Sequence, residues 1–352
     1  MRKFTGYIVL SIFILIYVVS SYQKLTIKIN LLKEKSGSIF RSDKYQYGDL
    51  FSLCYLTAFK KPIRDSVKFP NCNYPKKINL YAICDSYIFL FFNSDKFFCG
   101  VNNFSEIKTN DMELFTSKLD TSKINVLLLE FSERSVRPLL EDSVYISSLI
   151  TENRQDLSKI KLKQKIRTIY HTVFNDEINA NLEYNTWDYS LFTPVKEFKS
   201  NFNYKLFNEV NKDVKISENG KQLFYAPTID TLKVTSSFKY VTYGELDLLI
   251  QRLNDIFREA KNAGFNKVYL SIIPNPVSII APNYGGLKYN NLVNRIQNSS
   301  QLKMPFVDVF SSFARSQSPV YAVSDTHWSW NGAYIWLDKF NSELIKAIKE
   351  KQ

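Results

Sequence analysis

The sequence predicts an α/β protein built on a doubly wound parallel sheet, with an inserted accessory lobe and an N-terminal signal or anchor segment. Three observations predict it. Residues 78–83 and 124–129 are continuous apolar runs without polar alternation, the pattern of strands covered on both faces, and 268–273 reads as a further strand. After residue 236, strand-like runs alternate with segments of helical period, an order that implies right-handed crossovers. The chain also opens with Arg2 and Lys3 before an uncharged apolar run, residues 7–19, with Lys24 and Lys28 beyond it.

That opening run is shorter than the ~20 residues a comfortable transmembrane helix needs. Residues 1–21 therefore read as an export signal or a retained anchor, with Val18-x-Ser20 as the best small-residue cleavage site and no cysteine for a lipid anchor. Residues 22–75 read as a stalk and an entry region to the sheet domain, with loop signals at Pro62, Pro70 and Pro75. Residues 76–140 form the first part of the sheet domain. Their first strand stops at Cys84-Asp85-Ser86, an aromatic stretch fills 87–92, and the strand 124–129 ends at Glu130-Phe131-Ser132-Glu133-Arg134. Residues 141–235 read as the accessory insertion. Lys159, Lys161, Lys163, Lys165 and Arg167 alternate there with Ile160, Leu162 and Ile166, which fits a strand or an exposed basic helix equally. Glu218-Asn219-Gly220-Lys221 predicts a hairpin between 214–216 and 223–225. Residues 236–352 complete the domain. Leu246, Leu249, Leu253, Ile256 and Ala260 predict a helix capped by Gly264, followed by the strand 268–273, Pro274-Asn275-Pro276, a helix over 287–296 and a strand over 306–310. Ser329 opens a last amphipathic helix through Trp336, Phe340, Leu344 and Ile348.

Of the 352 residues, 45% are hydrophobic and 23% charged, which excludes a disordered or collagen-like chain. The net charge of +12 suits an anionic partner, although a Lys- and Asn-rich coding bias accounts for it as well. With only His171 and His327, any imidazole base has two candidates and three-His metal sites are excluded. The four cysteines make no C-x-x-C spacing, and no metal site or cofactor is expected. Export would let disulfides persist, with Cys54 and Cys72 one candidate pair.

The candidate chemistry lies at strand ends, where open α/β sheets bind their ligands. Asp325 and His327 stand two apart in the loop before the last helix, so the carboxylate can set the imidazole tautomer; a capping Asp beside a satisfied His is the plainer reading. Ser86 follows the first strand, where a hydroxyl meets backbone N–H groups able to form an oxyanion hole; an ordinary helix cap has the same sequence. Taken together they supply a Ser-His-Asp triad in the order Ser86, Asp325, His327. Cys84 reads as a small buried residue rather than a thiolate, and His171 as a surface or interface residue.

This arrangement resembles the SGNH hydrolase superfamily, whose serine sits in a Gly-Asp-Ser block and whose Asp and His precede the last helix. More narrowly, Asp325-Thr326-His327-Trp328 with Gly332, and Leu129-Glu130-Phe131-Ser132-Glu133-Arg134, are similar to motifs of the SGNH-like domains of bacterial alginate O-acetylation proteins. So are 269–280, with Asn275 and Ser278, and Val307-Asp308-Val309. The resemblance covers 78–135 and 245–345; Cys84 replaces the family's glycine, and the Ser-before-Asp-x-His order is that of ordinary SGNH hydrolases. It implies an SGNH-like fold and an exported serine-dependent O-acetyltransferase or acetylesterase acting on an envelope or secreted polysaccharide. Ser86 would be the nucleophile and its N–H an oxyanion donor, with Asn275 a further oxyanion or substrate-binding group. Arg134 would position substrate or pair with Glu130 or Glu133, and Trp328 would stack on a sugar or pack beneath its loop. The expected partners are a polysaccharide acceptor, acidic if the charge matters, and a membrane acetyl donor, with no nucleic acid. A non-catalytic polysaccharide-binding or assembly component of the same fold is the alternative.

Overall fold

Three of the expected strands lie side by side in a four-stranded parallel sheet. The computed structural model describes residues 2–21, 28–29, 41–63, 67–108, 119–141, 182 and 185–350. His171 and the Lys159–Arg167 run fall outside these residues. The chain forms two units: Met1–Pro62 with Arg154–Asn211, and Ile63–Asn153 with Lys212–Gln352. Residues 212–235, assigned from sequence to the insertion, belong to the second unit, as do residues 63–75 of the expected stalk.

In the second unit β1 (Ile78–Cys84), β2 (Val101–Lys108) and β3 (Ile124–Ser132) are followed by a small antiparallel hairpin, β4 (Val214–Ile216) and β5 (Leu223–Tyr225), and then by β6 (Lys267–Ile273). The sheet order is β2-β1-β3-β6, every pair parallel. β2 escaped the sequence reading because it is an edge strand whose middle residues face solvent, so it carries no continuous apolar run. The expected strand at 306–310 reduces to one parallel bridge, Leu270 with Phe306; Phe310 already starts a short helix. From β1 the chain turns outward to β2 and then returns to β3 on β1's other side. The exits of β1 and β3 therefore flank a topological switch point, the place where open α/β sheets bind their ligands.

Alternate strand residues enter two apolar clusters, one per face. Leu80, Ala82, Val126, Leu128 and Tyr269 pack with Trp336, Phe340 and Leu344 of the last helix, Trp330–Glu350. Tyr81, Ile83, Leu127, Leu129 and Leu270 pack with Leu249, Leu253 and Ile256 of the helix Tyr243–Asn262. That helix begins with the Thr242 hydroxyl accepting the Glu245 N–H, and Gly264, at φ 102°, supplies the left-handed turn beyond its end. Cys72 pairs with Cys99 rather than with Cys54. Beside that disulfide, buried Asn341 of the last helix accepts the Cys99 N–H at 2.8 Å and donates to the Phe97 carbonyl at 3.0 Å, so it hooks the helix to the lead-in of β2.

The first unit holds the helix Arg2–Ser21 and the helix Thr193–Phe207. Within the former, Phe4–Ser21 has a mean hydropathy of 2.1 and is long and apolar enough to cross a membrane, which exceeds the length read from sequence. Leu50, Phe51, Cys54, Leu56 and Phe59 are buried. Burial pushes the Cys54 thiol up to about 11, which leaves it protonated and unreactive near neutral pH.

Gly332 decides how the last helix meets the loop before it. A Cβ there would lie 2.2 Å from the Val320 carbonyl oxygen, which already accepts the Ser329 N–H. Backbone, unlike a side-chain end, cannot step aside. Gly332→Ala should therefore cost about 2 kcal/mol of stability, the scale of overpacking a tight site, and a denaturant midpoint equal to wild type would refute this account of the junction.

Candidate active site

β1 delivers its chain directly into the site. Asp85, in extended conformation, ends the strand and caps the short helix Ser86–Phe89, so Ser86 is held at a helix start beyond the sheet edge. The opposite wall comes from the loop before the last helix. The Ser86 Oγ lies 2.6 Å from His327 Nε2, and His327 Nδ1 lies 2.5 Å from Asp325 Oδ1. A carboxylate can only accept, so Nδ1 carries the imidazole proton and Nε2 turns its lone pair to the serine hydroxyl. Asp325 Oδ1 also accepts the His327 backbone N–H at 2.8 Å, which makes the two-residue spacing a closed turn. The His327 and Asp325 side chains are 14% and 7% exposed, so the relay is sheltered but reachable.

One aromatic residue ties the two walls together. The Tyr87 hydroxyl donates to the Thr326 carbonyl at 2.7 Å, and its ring lies 5.1 Å from the His327 ring. Tyr87 is adjacent to the serine and Thr326 to the histidine, so this one bond fixes their separation.

Beneath the serine lies a carboxylate network. Asp85 Oδ1 accepts the Ser86 N–H at 2.7 Å, and Oδ2 accepts from the hydroxyls of Ser132 at 2.6 Å and Ser135 at 3.0 Å. Burial alone would lift the Asp85 carboxyl. The Ser132 hydrogen bond, the Ser86 N–H, the Arg134 charge and the Ser135 hydroxyl together hold it below the ordinary range, so it is anionic. Glu130 Oε2 accepts the Asp85 N–H at 2.9 Å. Burial, and then the Asp85 charge, pushes the Glu130 carboxyl well above its usual range. Glu133 is likewise raised by burial; its Oε2 accepts the Asn275 N–H at 2.8 Å and the Ser278 hydroxyl at 2.7 Å.

These contacts revise several expectations. The Ser86 N–H, expected to face an oxyanion, donates to Asp85. The Asn275 side-chain amide donates to the Ser237 hydroxyl at 2.9 Å and is fully enclosed. Trp328 is 1% exposed and packs edge-on against Tyr87, Phe91 and Phe92, so it is a core residue with no face for a sugar. Arg134 lies over the Tyr225 ring at 5.8 Å, and its charge reaches Asp85 and Tyr87. Cys84, by contrast, is buried as expected, and burial raises its thiol well above the ordinary value. Sequence reasoning placed Glu130 and Glu133 in the motif after the strand and gave them no role except as partners for Arg134. Two glutamates closing an otherwise apolar strand were the signal for their actual role as buried acceptors.

Comparison with known proteins finds no matching family model, and no curated protein or solved structure matches the chain.

The buried carboxyl next to Asp85 makes a pH prediction. The folded state keeps Glu130 protonated where the unfolded chain ionises it, near 4.5. Its contribution to stability is therefore full below that value and is lost as pH rises toward the folded one. Glu130→Gln keeps an acceptor for the Asp85 N–H and has no proton to lose. It should gain on wild type by about 1.4 kcal/mol per pH unit above 4.5 until the folded value is reached. Denaturant midpoints across this range test it; a difference independent of pH would mean that folded Glu130 is ionised.

Proposed function

We propose that the chain is an exported SGNH-like enzyme that moves an acyl group, acetyl by resemblance, onto or off a cell-envelope or secreted polysaccharide. The observation that carries this reading is the continuous relay from Ser86 Oγ through His327 to Asp325, at 2.6 Å and 2.5 Å. The strand order and the serine's place at the switch point support the doubly wound SGNH architecture. The bilayer-length N-terminal helix and the Cys72–Cys99 disulfide support export with a retained anchor.

In the proposed reaction His327 Nε2 takes the Ser86 proton as Oγ attacks the ester carbonyl. The tetrahedral intermediate collapses when the imidazolium returns that proton to the leaving alcohol, which leaves an acyl-serine. A sugar hydroxyl or water, deprotonated by His327, then attacks the acyl carbon and regenerates Ser86. Asp325 holds the tautomer and stabilises the imidazolium. Arg134 supplies positive charge at this edge and serves to position substrate. The partners are the glycan acceptor and a membrane protein that supplies acetyl groups.

A second reading has its own support. The Ser86 N–H and the Asn275 amide, the expected oxyanion donors, are committed to Asp85 and Ser237. A chain that kept the relay but never opened those bonds would bind or assemble polysaccharide without turning it over.

An activated acetyl ester separates the two. Wild type should release acetate, Ser86→Ala and His327→Ala should each lower the rate by ~100-fold or more, and Cys84→Ala should retain most of it. No turnover in well-folded wild type, with glycan binding intact, would favour the assembly component. Loss of turnover in Cys84→Ala but not in Ser86→Ala would overturn the serine mechanism.

A further inference from the structure

The helix Thr193–Phe207 is amphipathic in the reverse of the usual sense. Its polar side faces its own unit: Thr193 bonds Asp43, Glu197 pairs with Lys60 at 2.8 Å, and the Asn201 side chain accepts from Thr57 at 3.0 Å. Lys196 donates to the Tyr55 hydroxyl at 2.9 Å. Its apolar side faces outward. Val195, Phe198, Phe202 and Leu206 recur at i, i+3, i+7 and i+11, one stripe of an α-helix, and are 70%, 74%, 49% and 61% exposed. The Phe198 and Phe202 rings stack on each other at 6.2 Å. In water a helix of a folded unit buries such a stripe and exposes its polar face, so this orientation calls for an apolar surface outside.

We infer that this stripe lies in the interfacial layer of a lipid bilayer, as a second membrane contact beside the N-terminal helix. Three observations favour lipid over a protein partner. The same unit carries the bilayer-length segment Phe4–Ser21, and residues 22–40 are all the chain between that helix and Arg41, so the unit stays within reach of the surface. Exposed Lys199 and Lys205 flank the stripe, one on each side at about 100° per residue, where long stems can run along the apolar layer and place ammonium groups among phosphates. Large aromatic and aliphatic side chains opposite a polar face, bounded by lysines, are the composition of an interfacial helix. The inference rests on the N-terminal helix being a membrane anchor, as proposed above.

The test places one fluorescent reporter on the stripe of the full chain. Trp187→Phe with Phe198→Trp makes position 198 the exposed indole; the other three tryptophans are buried around the last helix. The protein is reconstituted in phosphatidylcholine vesicles with a minority of phosphatidylglycerol, with or without brominated acyl chains, and challenged with aqueous iodide. Emission from position 198 should be lost to the brominated lipid and kept in iodide. Trp187→Phe with Tyr240→Trp, on an exposed position of the other unit, should show the opposite pattern. Iodide quenching at 198 equal to that at 240 would place the stripe in water and overturn the inference while leaving the anchor intact. Protection from both quenchers would mean that protein, a second copy or another chain, covers the stripe, and would overturn it too. A chain that fails to float with the vesicles would refute the anchor and this contact together.

Discussion

Two buried glutamates at the end of the central strand hold the candidate site in place. β3 lies between β1 and β6, and as it leaves the sheet Glu130 accepts the N–H of Asp85 at the exit of β1, while Glu133 accepts that of Asn275 at the exit of β6. Strand exits are where a parallel ladder runs out and backbone donors lose their partners. A buried donor left alone costs about 1–3 kcal/mol, so a side-chain acceptor here stabilises a sharp turn out of the sheet. The burden falls on the carboxyls, which burial drives toward the neutral form. Neutral acceptors suit the position, since a second anion beside Asp85 would repel it.

The charge that remains is Asp85, directly beneath the serine. Ser132, Ser135 and the Ser86 N–H surround it with donors, and Arg134 adds a positive field. This makes the serine turn rigid, and it also engages the very N–H that an acyl-transfer reaction uses at its transition state. In the proposed reaction, stability of the turn and stabilisation of an oxyanion would compete for one hydrogen atom. The His327 wall has no such conflict: Tyr87 ties it to the serine helix, Asp325 closes its turn, and the Trp328 side chain fills the aromatic core behind it.

The two units turn their apolar side chains in different directions. In the sheet unit the large apolar side chains converge on the two faces of the sheet, and its last helix needs Gly332 to sit close enough to shape the histidine loop. In the N-terminal unit apolar surface is turned outward, along the helix Arg2–Ser21 and along one stripe of Thr193–Phe207.

Much was determined by the sequence alone, because its signals are local. Continuous apolar runs marked β1 and β3, and a further strand-like run marked β6; Glu218-Asn219-Gly220-Lys221 marked the hairpin, and helical spacing with Gly264 marked the long helix Tyr243–Asn262. Ser86, Asp325 and His327 were legible as types at strand and helix ends, since a nucleophile, a base and an orienter are recognisable one by one. Beyond the local Asp85–Ser86 and Asp325–His327 bonds, tertiary structure alone decided what the polar groups of the site meet. The partners of Asp85 arrive from 45 to 50 residues away, that of Asn275 from 142, and that of Ser86 from 241. Sequence spacing says nothing about bonds of such separation. Nor could periodicity tell which side of Thr193–Phe207 faces outward, because a pattern gives an apolar stripe its width and leaves its direction to whatever the opposite face can bond.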